Sequence, residues 1–162
     1  MSTAEMVNTK TVAGRREVRY NNYDEQLADA ERLAGMEVRT LGNWSYGQIL
    51  RHLARSIDAM IDGAPFSFPA PLQWVMRLLM KKKYITKPMS PGFKLPKNNG
   101  GLLPEETTVE EGLAEFRTAI NRAKTESKRA PHGGFGKMPN DECDQFQFRH
   151  AEMHMSFVVP QD

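Results

Sequence analysis

The chain has 162 residues, which suffices for one domain with a single hydrophobic core and leaves little room for a separate catalytic domain. Lys and Arg number 22 and Asp and Glu number 20, so the net charge of +2 excludes the strong overall attraction to nucleic acid that very basic proteins show. The single cysteine, Cys143, excludes an intrachain disulfide and suits a reducing compartment.

The apolar segments of the chain argue against export and against insertion into a membrane. Residues 1–16 alternate small polar and basic side chains and lack the apolar core that a secretory signal requires. The longest apolar stretch, residues 72–80, is interrupted by Arg77 and falls far short of the ~20 residues of a membrane span. We therefore expect a soluble cytoplasmic protein with neither nucleic acid nor a membrane as its partner.

The amino-terminal part of the chain divides into a lead-in and a first helix. Residues 1–20 are polar and aperiodic, which predicts a flexible or extended N-terminal lead-in outside the core, followed by a single helical domain over residues 21–162. Apolar residues then recur every three or four positions, which predicts a first helix over residues 23–35. Asn22 is a candidate N-cap of this helix, and Gly35 is a candidate stop.

A second helix follows, and it carries the first histidine of the chain. Ser45 and Gln48 form a capping box at its start, and Gly63 ends it. His52 falls on the flank of the apolar stripe of this helix, one turn before Ser56. A flanking position suits either a metal ligand or a half-exposed surface histidine, so the pattern alone leaves both interpretations open.

A long proline-rich connection separates the second helix from the third. A short amphipathic helix is predicted over residues 72–83, where its apolar side chains favour packing on the bundle. Residues 86–107 are rich in proline and glycine, which predicts an irregular crossover loop. Long ordered loops of this kind often line functional sites.

Two further helices complete the predicted fold. Thr108 and Glu111 form a second capping box, which opens a third helix that runs to about residue 127. Asn140 starts a fourth helix as its N-cap, with acidic residues in the first turn. Four amphipathic helices with a long second connection predict an all-α protein, namely a four-helix bundle with a long crossover between helices two and three.

The fourth helix carries the strongest candidate for a functional site, a pair of histidines. His150 and His154 are four residues apart, so on a helix their rings lie one above the other on the same face. This is metal-ligand spacing, and the pair falls on or beside an apolar stripe that points inward. The stripe is formed by Phe146, Met153 and Phe157.

Buried imidazoles need partners, because an unsatisfied buried polar group costs roughly 1–3 kcal/mol. Two interpretations satisfy His150 and His154: a metal ion completed by a third ligand, or core histidines hydrogen-bonded to neighbouring groups or water. The zinc-protease motif is excluded, because Ala151 stands where the general-base glutamate would follow the first histidine.

Three other reactive side chains lie near the histidine pair in the sequence. His132, in a glycine-rich loop before the fourth helix, is a candidate catalytic residue as proton shuttle or substrate contact, with loop packing as the alternative. Glu152 lies about 200° round the helix from His150, so we expect it to face solvent rather than act as a base. Cys143 is expected to be a buried structural thiol rather than a nucleophile.

Four parts of the sequence together form a specific pattern. They are LGNWS (residues 41–45) with ILRHLA (49–54), PGFKLP (91–96), HGGFGKM (132–138) and RHAEMHMSF (149–157). On these segments the chain resembles the DinB-like superfamily, which includes the YfiT-like metalloenzymes, and within it a bacterial branch of uncharacterised domains. The resemblance covers nearly all of residues 14–157.

This resemblance implies a DinB-like four-helix bundle, often dimeric, whose site combines one histidine of the second helix with the histidine pair of the fourth. At the matching positions of this chain, the implied metal ligands are His52, His150 and His154. Three imidazoles leave coordination positions for water, and nickel, zinc, iron and manganese all suit such a site. The exposed-looking segment around Trp74, Leu78 and Leu79 adds to the expectation of a homodimer.

The leading hypothesis is a metal-dependent enzyme, either a hydrolase or a small-thiol transferase, because both reactions need an open metal position. Known activities in the superfamily imply a small-molecule substrate, with a low-molecular-weight thiol as one candidate. Two alternatives stay open. One is a non-catalytic bundle that binds a metal or a small ligand, and the other is a structural bundle whose histidines form a hydrogen-bonded cluster.

Overall fold

A computed structural model describes residues 5–162; residues 1–4, part of the predicted lead-in, lie outside the described residues. The described chain forms six α-helices, two short strands and a short 3-10 helix. Their bounds are Thr9–Thr11 for the 3-10 helix, Tyr23–Ala34 for α1, Val38–Thr40 for β1, Tyr46–Asp62 for α2, Ala70–Leu79 for α3, Lys81–Thr86 for α4, Val109–Thr125 for α5, Asn140–Met155 for α6 and Val158–Pro160 for β2. Helices α1, α2, α5 and α6 are the four predicted helices and pack around one core, so the all-α bundle is confirmed.

The starts of α1 and α2 follow local features of the sequence. At α1 the Asn22 side chain accepts a hydrogen bond from the Glu25 amide at 2.8 Å, and Gly35 caps the carboxyl end. At α2 the Ser45 hydroxyl accepts from the Gln48 amide at 3.2 Å, and the Gln48 side chain accepts from the Ser45 amide at 2.8 Å. These bonds satisfy amides that a helix start leaves unpaired, so both predicted starts are confirmed.

Helices α2 and α5 approach closely because each places a glycine against the backbone of its partner segment. A Cβ atom built on Gly112 would lie 2.5 Å from the carbonyl oxygen of Gly47, and one on Gly47 would lie 2.7 Å from the carbonyl of Thr108. The predicted capping box of Thr108 and Glu111 starts α5 at this contact. The close approach fixes the first half of α2, which carries His52, in the bundle.

The core fills the space between the four bundle helices. Its largest fully buried apolar side chains come mainly from the apolar stripes predicted for the first three helices. They are Leu33, Leu50, Leu53, Ile57, Ile61, Phe116, Ile120, Met155 and Val158. The same packing sets α2 beside α6, so the histidine-bearing parts of these two helices are neighbours.

A two-stranded antiparallel sheet, which was not predicted, joins the segment before α2 to the segment after α6. β1 pairs with β2 so that Val38 lies opposite Pro160 and Thr40 lies opposite Val158. The amide of Leu41 extends this pairing by donating to the carbonyl of Phe157 at 3.0 Å. The sheet therefore brings the approach to α2 close to the end of α6.

The N-terminal lead-in packs on the bundle and contributes to the core, contrary to the expectation. Tyr20 is buried, and its amide donates to Glu152 Oε1 at 2.7 Å. The Arg16 guanidinium forms a bidentate ion pair with Asp29 of α1 at 3.1 and 2.8 Å, and its amide donates to the Ser156 carbonyl at 2.9 Å. Single aromatic and charged side chains thus anchor a segment that lacks the periodicity by which core residues are predicted.

Glu152 was expected to face solvent, and this expectation is wrong. The residue is 4 % exposed and accepts from Arg149 Nη2 at 2.9 Å as well as from the Tyr20 amide. The N-terminal segment covers this face of α6, so a carboxylate that a lone helix would expose is buried in an ion pair. Its partners are Arg19, Arg149 and Tyr20 rather than His150, so Glu152 has no contact that would make it a base at the histidine pair.

Two helix boundaries differ from the prediction. The helix expected over residues 72–83 is split into α3 and α4 at Met80, where φ of −121° departs from helical geometry. The N-cap of α6 is Pro139 rather than Asn140, whose side chain instead donates to the Ser127 carbonyl at 2.7 Å. The rest of the crossover has no helix or strand from residue 88 to residue 108, as expected. No helix within residues 5–162 combines the length and the apolar character needed to cross a membrane.

Candidate metal centre

The structure brings His52 of α2 together with His150 and His154 of α6. The Nε2 atom of His150 lies 3.2 Å from Nε2 of His52 and 3.1 Å from Nε2 of His154. The ligand atoms of all three residues lie within 4.8 Å of one another. His52 is 4 % exposed, and the half-exposed surface position that the sequence left open for it is therefore excluded.

These separations suit a shared metal ion. Nitrogen ligands that bind one zinc at ~2.0–2.1 Å lie about 2.8–3.4 Å apart for bond angles between a right angle and the tetrahedral angle. The two shortest Nε2 separations, 3.2 and 3.1 Å, fall within this interval. His150 and His154 are half-buried, so the cluster keeps some contact with solvent and is not sealed inside the core.

The ring of His52 is oriented by a backbone carbonyl of the crossover. Its Nδ1 lies 2.6 Å from the carbonyl oxygen of Leu102. A carbonyl oxygen only accepts hydrogen bonds, so Nδ1 of His52 carries the proton and donates. The Nε2 atom that faces the other histidines therefore has a free lone pair, which is the form that binds a metal.

The Leu102 carbonyl is held in place by a tight turn. The Asn99 side chain accepts from the amides of Gly101 and Leu103 at 3.1 and 3.3 Å, and the Asn99 carbonyl accepts from the Leu102 amide at 3.1 Å. Gly100 and Gly101 have φ of +60° and +83°, a region that glycine adopts without steric strain. The proline- and glycine-rich crossover, expected to line a functional site, supplies the orienting partner of His52.

The ring of His150 is oriented by a side chain one turn after His52 on α2. Its Nδ1 lies 3.2 Å from the Ser56 hydroxyl, and that hydroxyl donates to Gln147 Oε1 at 3.2 Å. With its own proton given to Gln147, the Ser56 oxygen accepts from Nδ1 of His150. Both Nε2 atoms, of His52 and of His150, then present lone pairs to each other, and a cation between them removes their repulsion.

Trp44 forms a wall of the cluster. Its ring is stacked on His154 with centroids 5.3 Å apart and an interplanar angle of 12°, and its centroid lies 4.8 Å from that of His52. The contact restricts both imidazoles to the orientation in which their Nε2 atoms converge. Trp44 lies in the short segment that connects β1 to α2.

All three imidazoles are neutral near pH 7. Burial lowers the pKa of His52 to about 4, because the charged ring would lose its hydration. Burial also lowers the pKa of His150 and of His154 well below the ordinary value, and the neighbouring imidazoles add to the effect. Neutral imidazole is the state that coordinates metal, so the site needs little proton release to accept an ion.

His132 lies outside the triad, in the turn before α6. Its Nδ1 accepts from the amides of Gly134 and Phe135 at 3.0 and 3.1 Å, and its ring packs on Phe146 with centroids 4.5 Å apart. Phe146 in turn lies 6.1 Å from the ring of His150. These contacts are those of loop packing, the alternative stated for His132, and its catalytic role stays a prediction.

Cys143 also stays away from the triad. The thiol is buried, with Sγ 3.8 Å from the Met138 carbonyl. Burial raises the pKa of the Cys143 thiol, which disfavours the reactive thiolate. The expectation of a buried thiol is therefore confirmed.

The orienting groups of the site were not predicted from the sequence as such. The sequence identified Ser56 only as the neighbour of His52 one turn along α2. A residue four positions after a ligand lies on the same helix face, so this spacing could have predicted that Ser56 contacts the site. Trp44 lies in one of the segments that carry the family resemblance. The Leu102 carbonyl had no sequence feature, because it is a backbone atom in an irregular loop.

The fold and the site together define a class of protein, a helical bundle with a three-histidine cluster that can hold a metal ion. Over residues 12–161 the sequence matches the model of the family described as Protein of unknown function (DUF1569). The chain therefore belongs to this family. Comparison with curated proteins and with solved structures gave no match. The family description names no activity, so function has to be argued from the site.

Proposed function

We propose that this protein is a metal-dependent enzyme whose divalent ion is held by His52, His150 and His154. The observation that carries the proposal is the convergence of three imidazole Nε2 atoms from two helices, with separations of 3.2 and 3.1 Å around His150. The donor set consists of neutral nitrogen ligands only, which suits zinc, nickel, iron or manganese. A DinB-like bundle, to which the sequence is similar, is expected to hold its metal with the same three positions.

The residues around the triad prepare it for catalysis. When bound, a divalent ion held by three imidazoles lowers the pKa of a coordinated water or thiol near neutrality and polarises a substrate. Leu102 and Ser56 hold the protons of His52 and His150 away from the metal position, so the Nε2 atoms do not have to lose protons first. Trp44 packs on the rings of His154 and His52 and so limits their rotation.

The reaction fits either hydrolysis or transfer of a small thiol, and the substrate is a small molecule. Both reactions need a metal position open to substrate, and the half-buried state of His150 and His154 supports such access. The resemblance to the DinB-like superfamily supports a low-molecular-weight thiol as one candidate. A bacterial cytoplasm, where such thiols stay reduced, suits a chain with one buried cysteine.

Metal content of purified, tag-free protein tests the proposal. Wild type should hold close to one equivalent of a divalent metal, His150→Ala and His154→Ala should lose it, and His52→Ala should weaken it severely. His132→Ala is the matched control, since it removes a histidine outside the triad and should keep the metal. Equal metal content in wild type and His150→Ala, measured by mass spectrometry, would falsify the metal site and leave a hydrogen-bonded histidine cluster.

A turnover screen separates an enzyme from a binding protein. Metal-loaded wild type should accelerate hydrolysis or thiol transfer of at least one small substrate, and metal-free protein should not. Activity that persists in full after the metal is removed would sink the catalytic role while leaving the metal site intact. A screen negative for all ester, amide and thiol-transfer substrates would favour the non-catalytic binding bundle.

A further inference from the structure

A pocket of about 680 Å³ opens between the N-terminal segment, α4 and the loop over residues 88–93. This volume lies within the ~300–1,000 Å³ that small-molecule sites usually have. Tyr84 and Phe93 supply aromatic surface to the pocket, and Lys10 and Arg15 supply its charges. The lining contains no acidic residue.

Two chains of contact connect the pocket to the triad. Arg15 Nε donates to the Ser156 hydroxyl at 3.0 Å, two residues after His154. On the other side, the ring of Tyr84 is stacked on Phe146 at 6.5 Å, and Phe146 lies 6.1 Å from His150. None of the three histidines lines the pocket, but Arg15 and Tyr84 of its lining each connect to the end of α6 that carries them, through Ser156 and Phe146.

Arg15 is a half-buried cation without a counter-charge. Among residues 5–162 neither Arg15 nor Lys10 forms an ion pair, whereas the adjacent Arg16 pairs with Asp29 at 2.8 Å. The guanidinium of Arg15 lies 4.6 Å from the ring centre of Phe157, which fixes it but does not neutralise it. Burial lowers the pKa of Arg15 because its charged guanidinium loses hydration. A bound anion would compensate for this lost hydration with charge-assisted hydrogen bonds.

Lys10 is exposed, and its aliphatic stem packs against the loop of the pocket. Its side chain lies across Gly92, where a Cβ atom would come within 2.5 Å of Lys10 Cε. Gly92 has φ of +99°, so this residue is suited both to the turn and to the close approach of the lysine. The loop thus presents the second cation to the same pocket as Arg15.

We infer that this pocket binds the carboxylate or phosphate group of a small-molecule substrate, with Arg15 and Lys10 as the counter-charges. The inference builds on the proposed function, because it assigns an anionic substrate class to the same metal centre. Arg15 provides the directional contact, since a guanidinium matches the planar oxygens of a carboxylate or phosphate. Tyr84 and Phe93 offer aromatic surface to the apolar part of the molecule. On the proposed function, the reacting end of the molecule extends past Arg15 and Ser156 towards His154.

Calorimetric titration tests the inference with succinate and its uncharged amide, succinamide, as probes, and inorganic phosphate separates the two anions. Zinc-loaded wild type should bind at least one anion roughly tenfold or more tightly than succinamide. Arg15→Gln should abolish the preference, and Arg15→Lys should restore part of it because the charge is kept. Lys128→Gln, which removes one exposed charge far from the pocket in sequence and outside its lining, should leave the preference unchanged.

Metal-free protein keeps this test separate from that of the metal site. His150→Ala, which should lose the ion, should still prefer an anion to succinamide if Arg15 and Lys10 hold it. Anion binding that disappears in His150→Ala yet survives in Arg15→Gln would place the anion on the metal and overturn the inference. Equal binding of charged and uncharged probes by wild type would overturn it as well. Metal content of every sample, and its thermal midpoint, confirm that Arg15→Gln is folded and loaded.

Discussion

At the scale of single residues, the site depends on partners that fix which imidazole nitrogen carries a proton. His52 Nδ1 donates to a backbone carbonyl at 2.6 Å, and His150 Nδ1 lies 3.2 Å from the Ser56 hydroxyl. Such contacts orient the ring and raise the basicity of the opposite nitrogen, which here faces the other imidazoles. Leu102 and Ser56 therefore set the protonation of two triad imidazoles without being metal ligands themselves.

Ser56→Ala tests this preparation. Loss of the hydroxyl frees the His150 ring and leaves Gln147 without its donor, so zinc affinity should fall by roughly 10–100-fold. The helix should persist, because alanine favours helical structure. Competition with a chromophoric chelator measures the affinity. Ser127→Ala, at an exposed position, is the matched control and should bind zinc as wild type does; unchanged affinity in Ser56→Ala would contradict the orienting role.

Acid should destabilise the metal-free protein. Burial lowers the pKa of His52 and of His132 to about 4, whereas an unfolded histidine titrates near ~6.5. A histidine with a lowered folded pKa binds more protons when unfolded, so its stabilising effect is complete above pH ~6.5 and is lost as the pH falls towards 4. Each contributes up to about 3 kcal/mol over this interval.

Urea unfolding of chelator-treated protein measures this dependence. The urea concentration at the unfolding midpoint should be constant above pH ~6.5 and should decrease steadily as the pH falls below it. His132→Asn should flatten the slope, because one buried histidine no longer titrates. A midpoint that stays constant between pH 6.5 and 4.5 would show that these imidazoles are protonated as readily in the folded as in the unfolded chain.

At the scale of helices and strands, the sequence predicts what depends on local patterns. The bounds of α1 and α2 were predicted because Asn22, Ser45 and Gln48 bond to amides within one turn. The same holds for the start of α5. The capping box that predicts α2 also places His52 on the correct helix. The four-residue spacing of His150 and His154 was enough to place both on one face of α6.

Long-range packing explains what the sequence did not predict. α6 buries polar groups on two faces, the ion pair of Arg149 with Glu152 on one and the histidines on another. Amphipathic periodicity finds only an apolar face, so it placed Glu152 in solvent. The β1–β2 pairing and the Leu102 carbonyl join segments far apart in the chain, and no local pattern marks them.

Gly112→Ala tests the close packing of α2 on α5. A methyl group at this position would lie 2.5 Å from the Gly47 carbonyl oxygen, so the two helices must separate. Overpacking of this kind costs about 1–3 kcal/mol, although alanine alone would favour the helix. Thermal or urea unfolding measures the loss. Ala114→Gly, at an exposed position of the same helix, should cost only about 1 kcal/mol by propensity, and a stabilised Gly112→Ala would contradict the close contact.

At the scale of the whole molecule, charge and exposed apolar surface concentrate in the crossover. Residues 63–104 contain seven basic side chains and no acidic one, although the whole chain carries only +2. The basic residues are Arg77, Lys81, Lys82, Lys83, Lys87, Lys94 and Lys97. On α3, Trp74, Leu78 and Leu79 are 63, 68 and 72 % exposed, and the helix buries none of its residues. The expectation that these apolar side chains pack on the bundle is therefore wrong, whereas their exposed position agrees with the segment named as a dimer contact. Exposed apolar groups clustered on one element are typical of an interaction surface.

We predict that α3 forms the interface of a homodimer, and that the dimer is stabilised by salt. In a two-fold dimer the α3 helix of one protomer meets that of its partner, so Leu78 and Leu79 leave water while the nearby Arg77 and Lys82 face like charges. Salt screens that repulsion and leaves the apolar attraction, so the dimer fraction should rise with ionic strength. Sedimentation or light scattering at micromolar concentration measures it.

Leu78→Glu is the variant that decides whether α3 is the interface. A carboxylate in the centre of an apolar contact has to be desolvated, which should convert the dimer to monomer while the thermal midpoint of the bundle changes little, since Leu78 is 68 % exposed. Met36→Glu places the same charge on an exposed apolar position between α1 and β1 and should leave the dimer unchanged. A wild-type monomer at all salt concentrations would refute the dimer, and a dimer that survives Leu78→Glu would place the interface elsewhere.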